Sequence, residues 1–130
     1  MAEHPNVELT RRGYAAFEKG DFAALTDVFA DDIVWHVSGP GPLAGTYRSR
    51  DEVFGMFARL AEETGGTFRL DVHDVIANDE HAVALVNASA SRKGKSMEDL
   101  GTHVFHIKGG KITEFWQTTT NPEAAVDFWA

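Results

Sequence analysis

The sequence predicts an α+β domain, a cone-shaped barrel in which three helices of the N-terminal half pack on a strongly bent, mostly antiparallel sheet. Apolar residues as far as Leu60-Ala61 recur at three- and four-residue intervals, and from Thr67 to Thr120 the pattern changes to period two. That second stretch is cut by three turn signals, Asn78-Asp79-Glu80, Lys93-Gly94-Lys95 and Gly109-Gly110. Helices followed by hairpin-linked strands segregate the two kinds of structure. A chain of 130 residues has room for one domain, 1–130, with one core and one pocket.

The first helix runs from Asn6 to Lys19, where Val7, Gly13, Tyr14, Ala16 and Phe17 recur at helical spacing, Asn6 offers an N-cap and Gly20 a stop. Asp21 caps a second, short helix through Phe22, Leu25, Val28 and Phe29 up to Asp31-Asp32, so the two form a hairpin about Gly20-Asp21. Adjacent carboxylates at such a corner face water, which assigns Asp31 and Asp32 to capping and solvation. Ile33 to Val37 makes the first strand, and Ser38-Gly39-Pro40-Gly41-Pro42 ends it, since proline removes a ladder donor. Ser49 and Glu52 form a capping box ahead of Val53, Phe54, Met56, Phe57, Leu60 and Ala61, a third helix that Gly65-Gly66 stops. Four antiparallel strands in meander order follow, and Asn121-Pro122 opens a terminal helical turn.

Composition narrows the function. Twelve Lys and Arg against 20 Asp and Glu give a net charge of −8, and without a basic stripe to attract phosphate no nucleic acid or anionic membrane surface is an expected partner. No apolar run is long enough to span a bilayer, and Met1 to Asn6 lack the basic and apolar regions of a signal peptide, so a cytoplasmic location is expected. The absence of cysteine excludes disulfides, thiolate catalysis and Cys–zinc sites. His103 and His106 point to opposite faces of one strand, and His36, His73 and His81 lie in other elements, so no metal is expected. Neither a phosphate-binding loop nor a Gly-x-Ser-x-Gly elbow is present.

Four segments carry a resemblance over nearly the whole chain: Tyr14-Ala15-Ala16-Phe17 leading to Gly20-Asp21-Phe22; Phe29-Ala30-Asp31-Asp32-Ile33-Val34-Trp35; Leu43-Ala44-Gly45-Thr46-Tyr47; and Gly110-Lys111-Ile112-Thr113-Glu114-Phe115-Trp116. In order and spacing they resemble the nuclear transport factor 2-like superfamily, in its SnoaL-like and ketosteroid isomerase-like branch. The fold hosts isomerases, cyclases, hydrolases and proteins without chemistry, so the resemblance implies a pocket and not a reaction. It places the isomerases' aspartate base at Val37, their oxyanion tyrosine at Gly13, one residue or about 100° of helix from Tyr14, and their protonated aspartate at His103. None of these is the family's own residue type. The polyketide cyclases of the same branch use a His with an Asp, and here the last strand reads Gln117-Thr118-Thr119-Thr120 without a carboxylate.

The isomerase register implies an inner face carrying Ile33, Trp35 and Val37; Leu85, Asn87 and Ser89; His103, Phe105 and Ile107; and Phe115, Gln117 and Thr119. Together with Tyr14 and Met56 these make aromatic and apolar walls with Asn87, His103 and Gln117 as convergent polar groups, the composition of a small-molecule site. His103 reads either as a proton carrier, its ordinary pKa suiting work near neutrality, or as a core histidine satisfied by Asn87 or a carbonyl. Asp99 shares its face but sits four residues, about 13 Å, along the strand. The expectation is a cofactor-independent isomerase, cyclase or hydrolase acting on a small apolar or aromatic molecule. The alternatives are a non-catalytic binding protein and a dimeric module with a vestigial pocket. A homodimer is expected because the second sheet face carries Val86, Ala88, Val104 and Trp116, and the aromatics Phe128-Trp129 are expected to fold over the pocket mouth or a partner subunit.

Overall fold

The computed structural model describes residues 3–130. Helices α1 (Pro5–Lys19) and α2 (Phe22–Val28) meet at Gly20, whose φ of 66° ends α1 in the left-handed conformation. His4, not Asn6, is the N-cap of α1: its ring Nδ1 accepts from the Asn6 N–H, and Pro5 occupies the first turn, where its missing N–H has no helical partner to lose. Strand β1 (Phe29–Val37) begins directly after α2, so Asp31 and Asp32 belong to a strand and not to a helix end. An irregularity in pairing between Phe29 and Val34 leaves both carboxylates in solvent, where Asp31 pairs with Arg50.

Residues Gly45–Arg48 form an edge strand, β2, paired antiparallel with the end of β1; a segment so short carries no alternation of its own and is ordered by its partner. Ser49, at φ 91°, then caps helix α3 (Arg50–Glu63), accepting from the Glu52 N–H. Strands β3 (Arg69–Ala77), β4 (His81–Arg92), β5 (Lys95–Lys108) and β6 (Lys111–Thr119) are the expected meander. The terminal turn is longer than expected, an eight-residue helix α4 (Pro122–Trp129) capped by Asn121.

The strand order is β2-β1-β6-β5-β4-β3, antiparallel throughout except for the parallel pair β1–β6. The sheet is curled and unclosed. Helix α1 packs on β3 and β4, α2 on β1 and β6, α3 on β1 and β2, and α4 on β5. Between helices and sheet lie Leu25, Ile33, Val53 and Ile112, all at most 1% exposed, each stabilising by roughly 2 kcal/mol through burial.

The longest hairpin sets which side chains enter that space. Lys93 and Gly94, with φ of 50° and 76°, make a two-residue turn that pairs Arg92 with Lys95. Directly opposed residues share a face, so even-numbered residues of β4 accompany odd-numbered residues of β5. The isomerase register, which puts Leu85, Asn87 and Ser89 on one face with His103 and Phe105, would pair odd with odd, and a slip of one residue turns a whole strand over. Leu85, Asn87 and Ser89 therefore lie on the outer face, while Ala82, Ala84, Val86, Ala88 and Ala90 face inward. Val86 and Ala88 are accordingly not part of the outer apolar face expected for a dimer.

Inward side chains then alternate large against small: Phe105 opposite Ala82, His103 opposite Ala84, Asp99 opposite Ala88 and Met97 opposite Ala90. At Gly101 a methyl group would lie 2.2 Å from the Thr118 carbonyl oxygen of β6. Gly101→Ala should therefore destabilise the protein by about 3 kcal/mol or prevent folding, because two paired strands would have to part. Gly55→Ala, in mid α3 with open space around it, should stabilise by about 0.5–1 kcal/mol. Urea unfolding curves of the two variants check both signs.

Candidate functional site

A cavity of about 170 Å³, measured for the centre of a water-sized sphere, lies between the inner sheet face, α1, α3, α4 and the Ser38–Ala44 loop. A water takes up roughly 10–15 Å³ by that measure, so the space suits on the order of a dozen waters or a small ring-bearing molecule. Trp35 and Phe115, opposite each other on the parallel pair β1–β6, stack with centroids 3.6 Å apart. Phe105 and Phe57 meet this pair edge-on, and Met56, Val37, Phe68, Leu70 and Trp129 complete the apolar walls.

In the cavity lining the Tyr14 Oη and His103 Nδ1 are 2.6 Å apart. Helix α1 delivers the phenol and β5 the imidazole, with Phe105 edge-on to Tyr14 and Phe115 edge-on to His103. Packed among rings and distant from any carboxylate partner, the imidazole loses more by desolvation when charged than when neutral, which lowers its pKa to about 4. Burial pushes the Tyr14 phenol far above its ordinary range. Both groups are therefore neutral at pH 7, and the hydrogen bond between them satisfies what would otherwise be costly buried polar atoms. What remains accessible on the His103 ring opens to the cavity.

Of the residues expected to form the site, Tyr14, Trp35, Val37, Met56, His103, Phe105, Phe115, Gln117 and Thr119 all line the cavity. Leu85 and Asn87 do not. The turn register places them on the outer face, where Asn87 donates to Glu98 at 3.0 Å and has no contact with His103. The partner of His103 is Tyr14, and its neighbour Gly13 faces Val28 of α2 and Ile112 of β6. Asp99 also lines the cavity; its Oδ1 accepts from the Thr119 hydroxyl at 2.6 Å. Its inward parity was readable from the strand pattern, whereas the pairing of Tyr14 with His103 joins positions 89 residues apart and no local pattern encodes it.

The C-terminal helix closes one side. Phe128 is 1% exposed, and Trp129 sits against Gly41, where a methyl group would lie 2.8 Å from the Trp129 Cβ. Arg92 holds this helix from below: its guanidinium pairs with Glu63 at 2.9 Å, donates to the Phe128 and Ala130 carbonyls and lies 5.3 Å from the centre of the Trp129 ring. Among the described residues no three His, Cys, Asp or Glu side chains are placed to hold a metal ion, and no helix is long and apolar enough to cross a membrane.

A family model described as a SnoaL-like domain matches residues 10–115. An uncharacterised protein of Mycobacterium tuberculosis is 34% identical over the full length of both chains. Among solved structures, Bal32a, from a soil-derived mobile gene cassette, is 33% identical with a TM-score of 0.92, covering 97% of each chain. An NTF2-like protein from Burkholderia thailandensis is 29% identical with a TM-score of 0.86, covering 100% of this chain and 99% of that one.

Two outcomes follow from the site's electrostatics and its closure. Between pH 6.5, the ordinary value for an unfolded histidine, and about 4, the unfolded chain binds more protons than the native one. The His103 contribution is thus complete above pH 6.5 and is lost as the pH falls toward 4. Urea unfolding at about pH 7 and about pH 5 should show wild type losing on the order of 2 kcal/mol more than His103→Phe across that step. Deleting Val126 to Ala130 should lower Tm, since it removes Phe128 from the core and strips Arg92 of two carbonyl partners; an unchanged melting curve would contradict the closure.

Proposed function

Since this chain belongs to the SnoaL-like domain family, we propose that its cavity takes a small apolar or aromatic molecule and that His103 moves a proton on it without a cofactor, positioned by Tyr14. The observation that supports this is the 2.6 Å contact between two neutral, oppositely usable groups inside an aromatic cavity. A neutral imidazole carries a hydrogen on one nitrogen and a lone pair on the other. When Tyr14 donates to Nδ1, the hydrogen sits on Nε2, which then donates to a ligand carbonyl or hydroxyl. When Nδ1 donates to the Tyr14 oxygen, Nε2 is a base and the phenol hydrogen is free to turn toward the ligand. As Nε2 takes a proton from one ligand atom, Nδ1 passes its hydrogen to the Tyr14 oxygen and the phenol gives its own hydrogen to a second ligand atom, so that a proton is moved across the ligand and both groups end neutral, the common step of isomerases and cyclases. Val37, at the position where the isomerases carry their base, supplies no second proton acceptor.

A second reading, a binding protein without turnover, is favoured by one observation: the hydrogen-bond partner of His103 is a phenol and no carboxylate orients the ring. Deuterium uptake at the α-carbon of β-tetralone in deuterium oxide separates the two. Proton transfer predicts uptake faster than in buffer, reduced at least about a hundredfold in a folded His103→Phe variant. Binding without uptake supports the second reading. A folded variant with full affinity and full uptake contradicts any role for His103; if His103→Phe does not fold, His103→Gln serves the same comparison.

The outer sheet face supports a homodimer. Leu85, Val104 and Trp116 are half-buried there, and Leu100 and Ile76 are 55% and 62% exposed. Apolar area of this kind is covered by a partner more often than it is left wet. Sedimentation at micromolar concentration should give the mass of a dimer, and a monomer there would contradict the assignment.

A further inference from the structure

The cavity has a second polar pole that the proton-transfer reading does not use. Asp99 faces inward from β5 four residues before His103, so the two Cα atoms are about 13 Å apart along the strand. One carboxylate oxygen is held by the Thr119 hydroxyl, whose own oxygen accepts from the Asn121 N–H at the start of α4. The hydroxyl fixes the side chain. The other oxygen has no hydrogen-bond partner among the described residues and is not sealed by protein, and the residue lines the cavity. Its neighbours on the same inner face are Ala88, opposite it on β4, and Met97, two residues along β5, and among the described residues the cavity lining contains this one acid and no Lys or Arg. None of the ion pairs among the described residues includes Asp99.

A fixed carboxylate without a cation is a receptor for a positively charged donor, because it accepts a charge-assisted hydrogen bond. The rest of the molecule agrees in sign, since a chain of net charge −8 repels carboxylate and phosphate ligands. Resting on the reading of the cavity as a ligand site, we infer that its ligand is an amine: a ring system lying against Trp35 and Phe115 near the Tyr14–His103 pair, with a protonated amino group reaching Asp99. The separation of the two poles fits a ligand about two fused rings and a short alkyl chain in length.

Three isosteric probes test this: β-naphthylethylamine, β-naphthylethanol and β-naphthylacetate, titrated calorimetrically into the wild-type protein near neutral pH. The amine should bind at least about tenfold more tightly than the alcohol, as a hydrogen bond to a charged group implies, and the acetate more weakly than either. Asp99→Asn should remove the advantage of the amine while leaving the affinity for the alcohol within about threefold, and Asp51→Asn, an equal change of charge on the exposed start of α3, should leave it intact. Equal binding of amine and alcohol, or an equal effect of the two substitutions, would overturn the inference while leaving the cavity reading in place. Failure of all three probes to bind would overturn the cavity reading and this inference with it.

Discussion

The pairing of Arg92 with Lys95 across two residues is the constraint on which most of the molecule depends. It follows from the left-handed conformations of Lys93 and Gly94 and decides, for the two longest strands, which half of the side chains meets the helices. With that register the inner face of β4 is a row of alanines broken by Val86, and the inner face of β5 presents Met97, Asp99, His103 and Phe105 against them. Small residues on one strand let α1 approach the sheet while large ones on the next reach into the space left over. The same hairpin brings Arg92 itself inward, under the C-terminal helix that closes the cavity.

The chemistry of the cavity comes from what surrounds its polar groups more than from the groups themselves. An imidazole and a phenol are ordinary residues in water. Held 2.6 Å apart among Phe105, Phe115 and Trp35, both are kept neutral by the cost of desolvating charge, in opposite directions on the pKa scale. Neutrality is what gives the pair both a donor and an acceptor at pH 7. The apolar walls are thus part of the electrostatics, and a polar substitution at Phe115 would alter His103 without touching it.

Much of this was legible in the sequence, and the gaps have physical causes. Apart from β2, the helix and strand order, the parity of β1, β5 and β6, the capping of α3 and the return of Phe128 and Trp129 onto the body all rest on local patterns, and those patterns are honoured. The face of β4 is carried over from the isomerase register, which does not fix the length of the turn before β5, and the two-residue turn at Lys93-Gly94 puts Leu85 and Asn87 on the outer side. Edge strand β2 has four residues and takes its order from β1. The contact between Tyr14 and His103 joins α1 to β5 across 89 residues, and no local pattern encodes the rotation of the helix that makes it.

The central claim, that His103 is a neutral imidazole in a ligand cavity, is tested most directly by nitrogen-15 NMR of the histidine rings through a pH titration, repeated with a cavity ligand such as β-naphthylethanol. One ring, assigned to His103 by its loss in His103→Phe, should stay neutral through pH 5, titrate at about 4 and shift when the ligand is added. A His103 ring that titrates near 6.5 and ignores the ligand would contradict it.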